Sequence, residues 1–337
     1  MRREQQLTLF GDAGEPPGRE RSPHGVAPAA VTGELRALAA RLPTALHLGT
    51  SSWSFPGWAG IVYDSAASTT ALARRGLQAY AQHPLLRTVG IDRTYYAPLE
   101  ADDFARYADQ VPDDFRFLVK APERCTLAVF PHHERYGEER GAPNSLFLDP
   151  AYAVDAICAP VAEGLGPKAG VVVFQFPPQP AAALGGPRRF AERLQNFLAA
   201  LPHELVYAVE LRTASLLTPA YAQALRATGA CHCLNVHPSM PALAAQAAFA
   251  ALPSAPALVV RWMLGHGLAY DDARERYLPF DRLAAEDPAT RTAIAEICRA
   301  DARRRRPAYV INNKAEGSAP LSAFKLAAAI AAAQALP

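Results

Sequence analysis

The feature that most constrains the fold is a short apolar segment that recurs along the chain and ends each time in a polar or charged residue. The first of these segments ends in Gly49-Thr50-Ser51, and a later one, Leu205 to Leu211, is followed at once by Arg212. Apolar runs of this length are typical of strands that are buried on both faces of a parallel sheet. Eight such strands are predicted, at residues 46–49, 87–91, 115–119, 170–174, 205–211, 230–236, 257–263 and 308–311.

Helical periodicity separates the predicted strands. After a short helix at about 34–41, helices are predicted at about 69–83, 99–110, 151–163, 187–200, 218–228, 240–250, 281–302 and 320–335. Eight strands that alternate with helices predict an α/β fold, a (β/α)8 TIM-type barrel, over residues 34–337 as a single domain. The rival, a doubly wound open sheet, normally carries a Gly-rich phosphate loop after its first strand, and Gly49-Thr50-Ser51-Ser52-Trp53 is not such a loop.

The amino-acid composition indicates a globular protein rather than a membrane or disulfide-rich secreted one. The chain has 337 residues, of which 50% are hydrophobic, enough for one large domain or two modest ones. The formal net charge of +2 is too small to require a nucleic-acid partner, although a local basic patch would suffice for one. Five cysteines, an odd number, indicate reduced thiols rather than a disulfide framework. Because no membrane-spanning or secretory segment is predicted, we expect a cytoplasmic protein.

Residues 1–33 are rich in Pro, Gly, Arg and Glu and are predicted to be a disordered tail. The tail contains Gln6-Leu7-Thr8-Leu9-Phe10, whose apolar residues have nothing local to pack against. This segment resembles the Gln-Leu-x-Leu-Phe motif with which bacterial repair and replication proteins dock on the sliding clamp. The resemblance implies that Leu9 and Phe10 fill an apolar pocket and that Gln6 hydrogen-bonds its edge. The alternatives are a segment that folds back on the domain and a chance match.

Polar residues at the carboxyl ends of barrel strands are the first candidates for a site, because all these ends lie at one rim of the barrel. Glu210 and Arg212, two apart on a strand, point the same way. Buried charges need partners, so we expect this pair to satisfy itself, to pair with Lys120 or Arg261, or to face a ligand. Glu210 is the predicted general base and Lys120 the second catalytic residue. A neighbouring carboxylate favours a charged Lys120 and thus anion binding over a Schiff base, and structural Lys–Glu pairing is the alternative.

Further polar and aromatic side chains at the strand ends are predicted to bind substrate. Hydroxyls and amides suit a phosphate and aromatic faces suit a ring, whereas a rim packed by its own aromatic side chains is the alternative. The predicted substrate-binding residues are Ser51, Trp53, Tyr95, Tyr96, Gln175, Arg212, Arg261, Asn312 and Asn313. No metal and no cofactor are predicted, since Cys231-x-Cys233 lacks a second Cys pair. The long segment 121–150 is predicted to be a lid or a substrate wall.

Several of these motifs together resemble the YecE-like family, also described as domain of unknown function 72. The matching stretches are Gly49-Thr50-Ser51-Ser52-Trp53, Thr94-Tyr95-Tyr96, Phe115-Arg116-Phe117-Leu118-Val119-Lys120, Gln175-Phe176-Pro177-Pro178, Ala208-Val209-Glu210-Leu211-Arg212 and Asn312-Asn313. The resemblance covers about residues 46–330. It implies a TIM-type barrel and no established reaction.

The chain departs from the family pattern at four places. A Glu expected ahead of Thr94-Tyr95-Tyr96 is Gly90, and a His expected after the Lys-bearing strand is Leu127. A His and a Trp expected after Glu-x-Arg are Thr213 and Leu216. Since the missing carboxylate and imidazole are groups used in general acid–base catalysis, the resemblance implies altered chemistry or none.

The residues that remain describe an anion-binding pocket. The first hypothesis is a hydrolase or lyase that acts on a phosphate-bearing substrate, with nucleic acid in DNA repair next to the sliding clamp favoured by the tail motif. The second is a sugar-phosphate isomerase or lyase. The third is a non-catalytic binding protein in a repair complex, which the missing His and Glu favour.

Overall fold

Eight parallel strands form a closed barrel in sequence order, β1-β2-β3-β4-β5-β6-β7-β8. The structure is a computed structural model that describes residues 25–180, 182–249, 254–263 and 275–332. The strands are β1 Leu46–Thr50, β2 Thr88–Ile91, β3 Arg116–Lys120, β4 Ala169–Phe176, β5 Tyr207–Leu211, β6 Cys231–Asn235, β7 Leu258–Trp262 and β8 Ala308–Asn312. Each overlaps a predicted strand, so the (β/α)8 fold class is confirmed.

Helices connect successive strands, as expected for a parallel barrel. Their bounds are α1 Gly33–Ala40, α2 Thr69–Tyr80, α3 Ala101–Ala108, α4 Pro150–Ala153, α5 Ala159–Leu165, α6 Pro187–Ala199, α7 Pro219–Thr228, α8 Leu243–Phe249, α9 Pro288–Ala302 and α10 Ala319–Ala332. Short polar side chains cap several of these helices. Thr32, Ser68, Thr218 and Asp287 each accept a hydrogen bond from the backbone N–H three residues later, which satisfies a donor that has no partner within the helix. No helix in the described ranges combines the length and the apolar character needed to cross a bilayer.

The predicted helix at 151–163 is interrupted between α4 and α5. Residues Val154–Cys158 adopt π-helical geometry there. Pro160, at the start of α5, has no backbone N–H to donate to the residue four positions earlier, so regular α-helical pairing cannot run through this point. The helix predicted from residue 281 begins only at Pro288, because Asp287 caps it.

Gly49 sets the spacing between β1 and β2. A Cβ at this position would lie 1.9 Å from the carbonyl oxygen of Thr88 on the neighbouring strand. The two backbones can therefore approach this closely only because residue 49 has no side chain. Gly49, at the start of the Gly49-Thr50-Ser51 turn, is therefore required for the packing of β1 against β2.

The described residues divide into two compact units. The first contains the part up to Gly90, Asp109–Arg116 and the part from Arg261 onward, and the second contains Ile91–Ala108 and Phe117–Val260. The assignment of 34–337 to one domain stays a prediction.

Three histidines, His47, His83 and His232, are buried, and burial lowers the pKa of each imidazole from 6.5 to about 4. His232 is held by the Tyr221 hydroxyl, which lies 2.8 Å from its Nδ1. Each of these side chains is therefore neutral in the folded protein near neutral pH.

We predict that the protein loses stability as the pH falls from about 6.5 to 4. The unfolded histidines take up protons near pH 6.5, whereas the folded ones do so only near pH 4, so acid favours unfolding by about 2 kcal/mol per histidine at pH 5. Urea unfolding at pH 8 and pH 5 measures the loss. His232→Gln should reduce this loss by about one third, whatever its effect at pH 8. A variant with the pH dependence of the parent would contradict the assignment.

Candidate functional site

The guanidinium of Arg212 is held in one orientation at the end of β5. Its Nε lies 2.9 Å from Oε1 of Glu210, and its Nη2 donates a 2.7 Å hydrogen bond to Oε1 of Gln175. The partners lie side by side because Gln175 on β4 is in register with Glu210 on β5. Glu210 is fully buried, whereas the Arg212 side chain keeps 16% of its surface exposed. The predicted same-face placement of Glu210 and Arg212 is confirmed.

The second terminal nitrogen of Arg212, Nη1, has no hydrogen-bond acceptor among the residues that the structure describes. Arg212 lines an open cleft of about 430 Å³. The cleft is lined by Pro178, Gln179, Pro180, Arg212, Thr213, Ala214, Ser215 and Ser239. It therefore brings one guanidinium together with the hydroxyls of Thr213 and Ser215, groups that can donate to an anion without adding a carboxylate, whereas the Ser239 hydroxyl donates to the Arg212 carbonyl at 2.8 Å.

Lys120 and Tyr95 are packed together in the same unit. Lys120 ends β3, and its Nζ lies 3.8 Å from the centre of the buried Tyr95 ring. Burial, and after it the Glu123 carboxylate, raises the pKa of the Tyr95 hydroxyl, which the charge of Arg212 partly counteracts. Tyr95 is therefore in contact with the ammonium of Lys120 and also under the electrostatic influence of Arg212.

A second carboxylate, Glu123, belongs to this site and was missing from the residues predicted from sequence. It follows β3 by three residues, is nearly buried, accepts a 3.0 Å hydrogen bond from the Tyr136 hydroxyl and forms an ion pair with Arg135. Burial raises the pKa of the Glu123 carboxyl in spite of Arg135, Tyr136 and Lys120, which lower it. Carboxyl groups with a raised pKa occur often at functional sites, which makes Glu123 a candidate site residue.

The long segment 121–149 is an ordered wall rather than an open coil. Leu127, Phe130 and Tyr136 form a small apolar cluster within it. The Gln179 amide holds its backbone from outside, since its Oε1 accepts from Ala128 N at 2.7 Å and its Nε2 donates to a neighbouring carbonyl at 2.9 Å. The segment thus fixes Glu123 and Tyr136, and its predicted contact with substrate stays a prediction.

Tyr96 follows Tyr95 in the second unit, whereas the first unit contains the remaining predicted site residues, Ser51, Trp53, Arg261, Asn312 and Asn313. Ser51 Oγ donates a 3.0 Å hydrogen bond to Oδ1 of Asn313, and Ser51 N donates to the Asn312 carbonyl, so these three lie together. Arg261 is buried within β7. Trp53 is buried and its Nε1 donates to the carbonyl oxygen of Leu72. The substrate-binding roles of these residues stay predictions, as does pairing of Glu210 with Lys120 or Arg261.

The four residues that differ from the family pattern lie in different environments. Leu127 lies in the apolar cluster of segment 121–149, and Leu216 is buried in the short turn before α7. Gly90 is an internal residue of β2, whereas Thr213 lines the cleft beside Arg212. Only Thr213 therefore brings a polar group from these positions to the site.

Metal ligation has no assembled ligand set in the part of the chain that is described, where no three His, Cys, Asp or Glu side chains come together around one point. The sliding-clamp motif, residues 6–10, lies outside the described residues. The predicted anion-binding roles of Arg212 and Lys120 stay predictions.

We predict that Glu210→Gln lowers the free energy of unfolding by about 3 kcal/mol, because it removes the charge partner of a largely buried guanidinium. Urea unfolding measures the change. Glu192→Gln is the matched control, since Glu192 pairs with Arg188 on the exposed face of α6 and should change stability by less than about 0.5 kcal/mol. Equal stability of the two variants would show that the Glu210 pair does not hold the strand end.

Comparison with known proteins supports the fold and identifies the family. A search of curated proteins gave no match. The chain resembles the crystal structure of a DUF72 family protein from Enterococcus faecalis, with a TM-score of 0.56 and 17% identity over 85% of this chain and 95% of that one. It also resembles a DUF72 family protein from Thermotoga maritima, with a TM-score of 0.57 and 18% identity over 83% and 97% of the two chains. The family model described as protein of unknown function DUF72 matches residues 47–337, so the chain belongs to the DUF72 family.

Proposed function

We propose that this protein binds a phosphate-bearing ligand at the carboxyl ends of β3, β4 and β5. The observation that carries the proposal is the arrangement around Arg212, whose Nε and Nη2 are occupied by Glu210 and Gln175 while its Nη1 has no protein acceptor in the described ranges. A guanidinium fixed in this way loses little side-chain freedom when it binds an anion, and it matches the geometry of a phosphate.

The surroundings of Arg212 favour phosphate over a carboxylate ligand. The hydroxyl-bearing residues Thr213 and Ser215 line the same cleft, so a ligand with three anionic oxygens meets further donors beside the guanidinium, while the Ser239 hydroxyl donates to the Arg212 carbonyl. Lys120, whose ammonium lies over the Tyr95 ring, adds a second positive charge. Its ammonium is a compact charge that suits a phosphate oxygen.

For a reaction on this ligand, hydrolysis or elimination, we assign different roles to the two carboxylates. Glu210 is fully buried and paired with Arg212, so it orients the guanidinium. A general-base role for Glu210, expected from its place on the strand, would require that pair to open. Glu123 is the better candidate for proton transfer, because burial raises its pKa and because its ion pair with Arg135 is less buried than the pair of Glu210 with Arg212.

We predict that Arg212→Gln weakens the binding of inorganic phosphate and of deoxyribose 5-phosphate by about 10- to 100-fold, the loss of one or two charge-assisted hydrogen bonds. Isothermal titration calorimetry measures both affinities. Arg188→Gln removes the same charge from an exposed helix face and should leave them unchanged. Failure of the parent to bind either compound at millimolar concentration, or equal binding by both variants, would refute the proposal.

The tail gives the proposal its cellular setting, DNA repair or replication next to the sliding clamp. Gln6, Leu7, Leu9 and Phe10 match the docking motif. Burial of Leu9 and Phe10 would contribute about 1.5–3 kcal/mol each, which suits reversible micromolar docking. A clamp-bound protein of this kind would meet its ligand as part of a nucleic acid.

We predict that the full-length protein binds a bacterial sliding clamp with micromolar affinity and that Leu9→Ala with Phe10→Ala abolishes the binding. Surface plasmon resonance on immobilised clamp measures both. Arg2→Ala with Arg3→Ala, which alters the tail outside the motif, serves as the control. Absence of parent binding at high micromolar concentration would remove the clamp from the proposal and leave the phosphate site, which the calorimetry tests separately.

A further inference from the structure

Tyr96 is the large hydrophobic side chain that stays exposed in the described part of the chain, with 42% of its surface accessible. It follows the short turn Arg93–Tyr95, and its backbone N donates a 3.1 Å hydrogen bond to the Arg93 carbonyl, so the turn fixes where it stands. A single exposed aromatic residue is common on protein surfaces. The side chains around Tyr96 indicate a role in ligand binding.

The guanidinium of Arg135 lies over the Tyr96 ring, with its central carbon 5.2 Å from the ring centre. The same guanidinium lies 4.5 Å from the centre of the Tyr136 ring and is paired with Glu123. Arg135 is therefore held in place by segment 121–149, whose apolar cluster includes Tyr136. Tyr96 and Arg135 together form a fixed platform of one aromatic ring and one planar cation, which we name the Tyr96–Arg135 platform.

This platform adjoins the proposed phosphate site. The Tyr96 ring meets the Tyr95 ring edge to face, with 5.2 Å between their centres. Lys120 lies over Tyr95, and Arg212 is near enough to Tyr95 to lower the pKa of its hydroxyl against the effect of burial. Tyr95 is therefore in contact with both the platform and Lys120, one of the two cations proposed to bind phosphate.

We propose that the Tyr96–Arg135 platform stacks an unpaired nucleobase of the ligand whose phosphate is bound at Arg212. This inference rests on the proposed phosphate site and specifies its ligand class as a nucleotide, free or within single-stranded nucleic acid. Aromatic rings and arginine planes both stack on bases, and they do so without regard to sequence, because every base offers a flat π-face. A base in a duplex is already stacked on both sides and cannot use the platform.

Three ligands of increasing size separate the contributions: inorganic phosphate, deoxyribose 5-phosphate and deoxyadenosine monophosphate. The full-length protein should bind the nucleotide about 10-fold more tightly than the sugar phosphate, as expected for one stacked base. Tyr96→Ala should remove this difference and leave the affinities for phosphate and deoxyribose 5-phosphate unchanged. Tyr96→Phe, which keeps the ring, should bind like the parent. Calorimetry with each variant provides the nine affinities.

A labelled single-stranded oligonucleotide and the same strand in a duplex distinguish a free nucleotide from nucleic acid as the source of the base. Fluorescence anisotropy should show that the single strand binds the parent at least as tightly as the nucleotide, about 10-fold more tightly than the duplex, and loses this advantage in Tyr96→Ala.

Equal affinity of parent and Tyr96→Ala for the nucleotide would overturn the inference while the phosphate site stands. A Tyr96→Ala that loses phosphate binding as well would also overturn it, since Tyr96 would then support the fold of the site. Failure of all three small ligands to bind would overturn both proposals.

Discussion

The buried ion pair between Glu210 and Arg212 is the interaction on which the rest of the site depends. Glu210 has no access to water, and its pairing with Arg212 keeps a charged carboxylate in the barrel compatible with folding. The same contact, with the Gln175 amide, orients the guanidinium before any ligand arrives. The requirement to neutralise one buried charge thus produces a preorganised cation at the strand ends.

Much of the fold could be predicted from sequence, because each strand is a local apolar run and its position depends on few distant contacts. Glu210 and Arg212 share a face as a direct result of the two-residue period of a strand. The place of Trp53 was less predictable, since its indole points inward to Leu72 on the following helix rather than to the rim. That contact depends on how α2 packs, which no local pattern specifies.

The role of distant contacts also explains why Glu123 was not predicted from the sequence as a site residue. In the sequence it is one acidic residue of a long connection, and its burial results from Arg135 and Tyr136, twelve and thirteen residues later. The signal that could have found it is its spacing, three residues after the strand-ending Lys120, which a single turn brings back to the same rim. Leu127, where the family pattern has a His, lies among apolar side chains and so offers no acid–base group at that position.

The structure of segment 121–149 has a consequence for how proteins of this architecture can diversify. The segment carries its own apolar cluster, and the Gln179 amide holds it through hydrogen bonds to backbone atoms of Thr126 and Ala128. Side chains attach it at two further points, where Phe147 packs against Phe176 and Arg135 lies over Tyr96. Since backbone contacts are indifferent to side-chain identity, residues between these points can vary in sequence without loss of the Gln179 attachment, so that the surface of this one insertion can change while the strand ends retain the same charges.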